Sequence, residues 1–134
     1  MADAVLDASA VLALLQGEPG SGLVSARLPG ATVSAVNFSE VVAKLADAGM
    51  PEAEIRRALN PLGLEVRAFD QQDAIAAGLL RPLTRTFGLS LGDRACLALG
   101  AALSRPVITT ERAWKKLKIG VDVVLARDGA GRAG

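Results

Sequence analysis

Along this chain short apolar runs alternate with segments whose apolar residues recur at helical spacing. Ala4–Asp7 reads as a buried strand, and Ser9–Leu15 as a helix that is apolar nearly all round. Glu18-Pro19-Gly20 interrupts it, and a second short helix runs to about Leu28. Ala31–Ser34 is the next strand. Val36–Ala48 is the clearest amphipathic helix, with Val41, Val42 and Leu45 on one side and Gly49 as its stop. Pro51 opens a helix that reaches Leu59, and Leu64–Phe69 reads as a strand with partial alternation. Asp70 is placed to cap a helix from Gln71, which Pro82 is expected to end or kink near Leu80. Ser90 caps a helix over Gly92–Leu103. Pro106–Thr109 is a strand, Glu111–Leu117 a short helix, and Val121–Leu125 the last strand.

Strands separated by helices imply a three-layer α/β/α domain around a mostly parallel sheet of about five strands. The pattern holds without repeat or linker, so residues 1–128 are read as one domain. The Gly/Ala/Arg stretch at 129–134 is read as a flexible tail.

Composition narrows the chemistry. The 134 residues are 51% hydrophobic and include no histidine, no tyrosine and one cysteine. Ser-His-Asp and Cys-His nucleophile systems are thereby excluded, as is a Cys/His zinc cluster. One cysteine makes no internal disulfide. Asp3 and Asp7 interrupt the apolar start, no run is long enough to span a membrane, and the expected location is cytoplasmic. Net charge is +1, but residues 1–80 hold 5 Lys+Arg against 10 Asp+Glu, whereas residues 81–134 hold 10 against 4. That polarity suits either a basic face for a phosphate-rich ligand or charges that mix on the folded surface.

In an open α/β sheet, ligands bind beyond the carboxyl ends of the strands. Asp7 closes the first strand, Glu111 follows the strand Val107-Ile108-Thr109 by one residue, Asp93 opens a helix, and Glu40 lies early in its own. Each has a purely structural alternative. Asp93 and Glu111 complement helix N-termini, and Glu40 pairs with Lys44 one turn on. Asp7 is hardest to explain that way, because an acid in an apolar strand is buried and needs a partner. Two carboxylates about 4 Å apart repel by roughly 4 kcal/mol at an effective dielectric of about 20. A cluster of them therefore favours a cation, and oxygen-only donors suit Mg²⁺ or Mn²⁺.

The segments VLDASA at 5–10, SAVNFSEVVAKL at 34–45, GLSLGDRACLALG at 88–100 and VITTERAW at 107–114, with the weaker FDQQDAIAAGLL at 69–80, resemble PIN domains, in particular the VapC-type toxins of bacterial toxin–antitoxin pairs. The resemblance spans nearly the whole chain in order. It implies a Mg²⁺- or Mn²⁺-dependent endoribonuclease whose four acids fall at Asp7, Glu40, Asp93 and Glu111, with Asp7 and Asp93 as direct metal ligands. The fourth position is usually Asp in a Thr-x-Asp turn, and here it is Glu111. It also implies three partners: an RNA substrate, a second copy of the chain, and a small antitoxin that places a basic residue in the acidic pocket.

Around these acids, Ser9 and Thr109 are hydroxyls placed to orient carboxylates, or else a helix cap and a strand-end turn. Arg94 and Arg112 each follow an acid and suit phosphate contact or charge balance. Lys115, Lys116 and Lys118 read as a solvated face, Trp114 as packing against the sheet, and Cys96 as a buried small hydrophobe. The helices Ser9–Leu15, Leu23–Leu28 and Val36–Ala48 carry more apolar surface than one sheet face covers, which marks an interface. Two other readings remain. One is a PIN-like module that binds RNA or a protein without cutting. The other is a receiver-type phosphoacceptor domain, which wants paired acids after strand one and a Lys after the last strand. Here Ala126-Arg127 follows that strand.

Overall fold

A computed structural model describes residues 3–126. The tail read at 129–134, and the domain end at 128, lie outside the described residues. The elements run β1 (Val5–Leu6), α1 (Ala8–Gln16), α2 (Ser21–Ala26), β2 (Thr32–Ser34), α3 (Ala35–Asp47), α4 (Glu52–Leu59), β3 (Glu65–Arg67), α5 (Gln71–Leu83), α6 (Leu91–Leu103), β4 (Val107–Thr109) and β5 (Val123–Leu125). Short 3-10 turns cover Asn60–Leu62, Arg85–Phe87 and Arg112–Lys116. The last of these stands where the sequence suggested a short helix.

The sheet has five strands in the order β3-β2-β1-β4-β5, and every pairing is parallel. That order differs from the 2-1-3-4-5 of receiver-type domains and removes that reading. Side chains alternate across it with a period of two. Leu6 and Ile108 enter the core shared with Val11, Val24, Val41, Leu45 and Ile55, while Val5, Val107 and Val123 enter the opposite core with Cys96, Leu97 and Trp114. Trp114 and Cys96 are buried there, as the sequence suggested. Burying side chains of this size stabilises by roughly 1.5–3 kcal/mol each, which explains how strands of two or three residues hold together. β3 is the exception: all three of its residues are exposed. It is one of the two sheet edges, and Glu65 and Arg67 ion-pair along it at 3.4 Å.

Two local expectations change. Pro82 does not end α5 near Leu80, because the helix continues to Leu83 with Pro82 in its last turn. The N–H that proline lacks would have reached the carbonyl of Gly78, an exposed residue, where water can substitute. Thr84 then closes the helix, its N–H and hydroxyl both donating to the Leu80 carbonyl at 3.0 and 2.8 Å. Second, the most exposed large hydrophobes lie outside the three N-terminal helices, at Val66, Ile75, Leu79, Leu83 and Leu91. The apolar residues of α1, α2 and α3 pack into or against the first core, several of them only half-buried, and Phe38 and Val42 of α3 open onto an apolar cleft with Met50, Ile55 and Leu59. Among the described residues no helix is long and apolar enough to cross a membrane.

Candidate active site

The chain starts in the middle of its sheet, builds outward through β2 to β3, and returns to lay β4 on the other side of β1. The gap between the loops leaving β1 and β4 is the switch point at which such sheets bind ligands. Asp7 sits there, one residue past β1, and Thr109 ends β4.

Asp7 is 4% exposed. Its Oδ1 accepts from the Ser9 hydroxyl at 2.7 Å and the Ala10 N–H at 2.8 Å, and its Oδ2 accepts from the Thr109 hydroxyl at 2.6 Å. Asp7 is thus the N-cap of α1, the role the sequence offered to Ser9 as its structural alternative. Both hydroxyls are turned by their own partners. Ser9 Oγ accepts from the Thr110 N–H and Thr109 Oγ1 from the Glu111 N–H, each at 3.0 Å. With those lone pairs occupied, the hydroxyl hydrogens point at Asp7. A carboxylate offers about four acceptor sites, so one remains on Asp7 for another group. Burial pushes the Asp7 carboxyl up to about 6 against the lowering by Thr109, Ser9 and Ala10, and the charge of Asp93 pushes the same way as burial.

Asp93 is the third residue of α6. Its Oδ2 accepts from the Ser90 N–H at 3.0 Å, and Ser90 Oγ accepts from the Asp93 N–H at 3.1 Å, a reciprocal capping box. The helix-terminus role is therefore real, and it uses only one of the two oxygens. Glu40 does not pair with Lys44. Its Oε1 accepts from Asn37 Nδ2 at 3.0 Å, and Asn37 Nδ2 also donates to the Gly92 carbonyl at 3.0 Å. Gly92 is a glycine for a visible reason: a Cβ there would collide with both oxygens of Glu40. Glu111 precedes the Arg112–Lys116 turn without a capping bond from its side chain.

All four acids line one cavity of about 980 Å³, together with Ser9, Asn37, Lys44, Glu18 and Asp47. Six carboxylates and one ammonium on one wall make it strongly negative. The buried Cys96 thiol behind it is raised first by burial and then by the charges of Asp7, Asp93 and Glu40. Asn37, Glu18, Asp47 and Lys44 were not read as site residues from the sequence. Only Asn37 had a usable signal, one helical turn before Glu40. Arg94 lies outside this wall, its Nη1 donating to the Ala77 carbonyl of α5 at 3.1 Å. Arg112 is exposed beside Thr110 and Glu111. Lys115 is tied to the Val123 carbonyl at 3.0 Å rather than simply solvated.

The donors suit a hard divalent cation: they are oxygens throughout, and histidine is absent from the chain. Among the described residues no three acids stand close enough to grip one ion together. An ion that keeps several of its waters and takes one or two carboxylates directly fits such a ring. Asn37 also lines the cavity, and its Oδ1 is buried without a partner.

Comparison of the fold with solved structures finds close likenesses. One chain of VapBC2 from Rickettsia felis, bound to a DNA fragment from their promoter, superimposes with a TM-score of 0.72 at 13% identity, covering 91% of this chain and 97% of that one. A chain of a toxin-antitoxin complex from Klebsiella pneumoniae gives 0.71 at 22% identity, covering 92% and 97%. A chain of DNA-bound VapBC from Salmonella typhimurium gives 0.70 at 18%, covering 94% and 99%. Identities this low speak for the fold. No curated protein sequence matches. A family profile does, described as PIN domain, over residues 4–120; PIN domains are generally nucleases and generally use divalent metals. Since that match runs from the residue before β1 to the loop beyond Trp114, through four of the five strands and all six helices, the chain belongs to the PIN-domain family.

Proposed function

We propose that this protein is a divalent-metal-dependent endoribonuclease of the VapC type, the toxin of a toxin–antitoxin pair. The observation that carries the reading is Asp7: a buried carboxylate at the sheet's switch point, oriented by two hydroxyls and facing Asp93, Glu40 and Glu111 across one cavity. In this reading Asp7 and Asp93 ligate Mg²⁺, for which Mn²⁺ substitutes, and Glu40 and Glu111 complete the pocket directly or through water. The bound ion supplies a water of lowered pKa and neutralises charge on the phosphate. Asp7 and Asp93 lower its mobility, Ser9 and Thr109 hold Asp7 in its rotamer, and Lys44 and Arg112 at the rim attract the RNA backbone. With few aromatics and no base-reading motif, selection rests on RNA shape and single-stranded loops. The expected setting is the cytoplasm.

The test is cleavage of a structured RNA by the purified chain with Mn²⁺ and with EDTA. Cutting with Mn²⁺ that stops on chelation supports the reading, and cutting that persists in EDTA removes the metal from it.

The partners follow the same reading. An antitoxin that inserts an Arg or Lys into the negative cavity competes with the ion for its carboxylates. A second copy pairs through α5. Ile75, Leu79 and Leu83 are spaced one turn apart and are 48%, 68% and 68% exposed. Around them Gln71, Gln72, Ala76, Gly78 and Pro82 complete a face without charge. A Cβ at Gly78 would meet nothing within 4 Å, so no side chain of the chain itself covers this face. An uncharged apolar ridge of this kind suits a two-fold pairing of α5 with its copy. The wild-type chain is expected at dimer mass in solution with a melting temperature that rises with concentration, and Leu79→Glu at monomer mass, folded, with a melting temperature that does not. A wild-type monomer at micromolar concentration refutes the pairing.

A further inference from the structure

We propose that Asn37 is a positioning residue of this site: its amide ties Glu40 on α3 to the first turn of α6, and so fixes where Glu40 stands relative to Asp93 around the cation. The inference rests on the metal-dependent reading above. Asn37 is 1% exposed and lines the cavity. Its Nδ2 donates to two acceptors on different elements, Glu40 Oε1 and the Gly92 carbonyl, both at 3.0 Å. Because both neighbours are acceptors, the amide can only stand this way round. One side chain therefore ties α3, which carries Glu40, to the first turn of α6, which carries Asp93.

The same orientation leaves Oδ1 buried without a partner and closed to water, so the side chain acts on the site through its two Nδ2 bonds. The cavity wall is dominated by carboxylates, which when ionised only accept and repel one another. A neutral donor anchored to the α6 backbone holds Glu40 at one place among them without adding charge.

The test measures Mn²⁺ affinity of the purified full chain by calorimetry or by the loss of free-Mn²⁺ paramagnetic signal, beside RNA cleavage kinetics. Asn37→Ala is expected to weaken Mn²⁺ binding about 10–100-fold, as loss of a ligand's support does. It should lower kcat while leaving KM for RNA within about twofold. In a Glu40→Gln background the same substitution should cost at least about threefold less, because part of its action passes through Glu40. Should Asn37→Ala fail to fold, Asn37→Ser, which keeps a small hydroxyl in the space, carries the same expectations. A folded variant with wild-type Mn²⁺ affinity, or full additivity with Glu40→Gln, overturns this inference alone. A wild-type chain that binds no Mn²⁺ overturns the metal-dependent reading and this inference with it.

Discussion

Asp7→Asn is expected to abolish cleavage and at the same time to make the metal-free protein more stable at neutral pH. The first half follows from position: Asp7 is the buried acid between β1 and β4, and an amide in its place is neutral and a poor ligand for a hard cation. The second half follows from its titration. Burial raises the carboxyl from 3.8 to about 6. Between those values the folded protein holds a proton that the unfolded chain has released, so stability falls as pH rises through that window and is level above it. The drop is about 3 kcal/mol for a shift of this size. Asparagine removes the buried charge at nearly constant volume. Its Oδ1 still accepts from Ala10, and its amide group meets Thr109, whose hydroxyl must turn. A net gain of about 1–3 kcal/mol at pH 8 is expected. Chemical denaturation of wild type and variant in EDTA, from pH 4 to 8, measures it. A variant that cuts RNA at the wild-type rate removes Asp7 from the mechanism. A wild-type profile that is flat between pH 4 and 6 removes the buried charge as the source of the instability.

Gly92→Ala should separate stability from activity in a different way. In isolation alanine favours a helix over glycine by about 0.5–1 kcal/mol. Here the new Cβ lands on the Glu40 carboxylate. That group is the far end of a flexible side chain, so the fold yields cheaply while Glu40 leaves its place on Asn37. The melting temperature is expected to stay at or above the wild-type value while cleavage falls about 10–100-fold, the range for disturbing the support of a metal-site group. Thermal melts alongside single-turnover cleavage decide it. Wild-type cleavage in the variant would show that the observed position of Glu40 is unimportant.

Much of the fold was legible because its signals are local. Asp70 and Ser90 cap α5 and α6 where expected, and both caps turn out to be reciprocal boxes with Asp73 and Asp93. The apolar strands lie where the runs fall, since buried parallel strands read as continuous apolar segments. The strand order was not legible, because it depends on contacts between segments a hundred residues apart. β3 was read from partial alternation and proved to be an exposed edge, where side-chain pattern carries little information. Pro82 misled because the rule against proline in helices weakens in a last turn whose orphaned carbonyl meets water.

The candidate site divides the same way. The acids could be picked out one at a time from strand ends and helix starts, and the structure sets all four on one cavity. What joins them could not. Asn37 reads as an ordinary helical polar residue until α6 delivers the Gly92 carbonyl to it. Arg94 stands next to Asp93 in sequence, yet on a helix adjacent residues point about 100° apart, and its side chain reaches α5 instead.

The position of β1 between β2 and β4 also sets an order of events during synthesis. Asp7 leaves the ribosome ahead of Thr109, its hydrogen-bond partner, which is 102 residues behind it. At about 5–20 residues per second, roughly 5–20 s pass between the two. Through that interval one edge of β1 is bare, Asp7 lacks its Thr109 donor, and the wall that Asp93 and Glu111 contribute does not exist. A chain that stalls before β4 can pack β1, β2 and β3 but cannot complete the acidic cavity. In the proposed ribonuclease reading, this late closure leaves the nascent polypeptide without a complete site beside the message being translated.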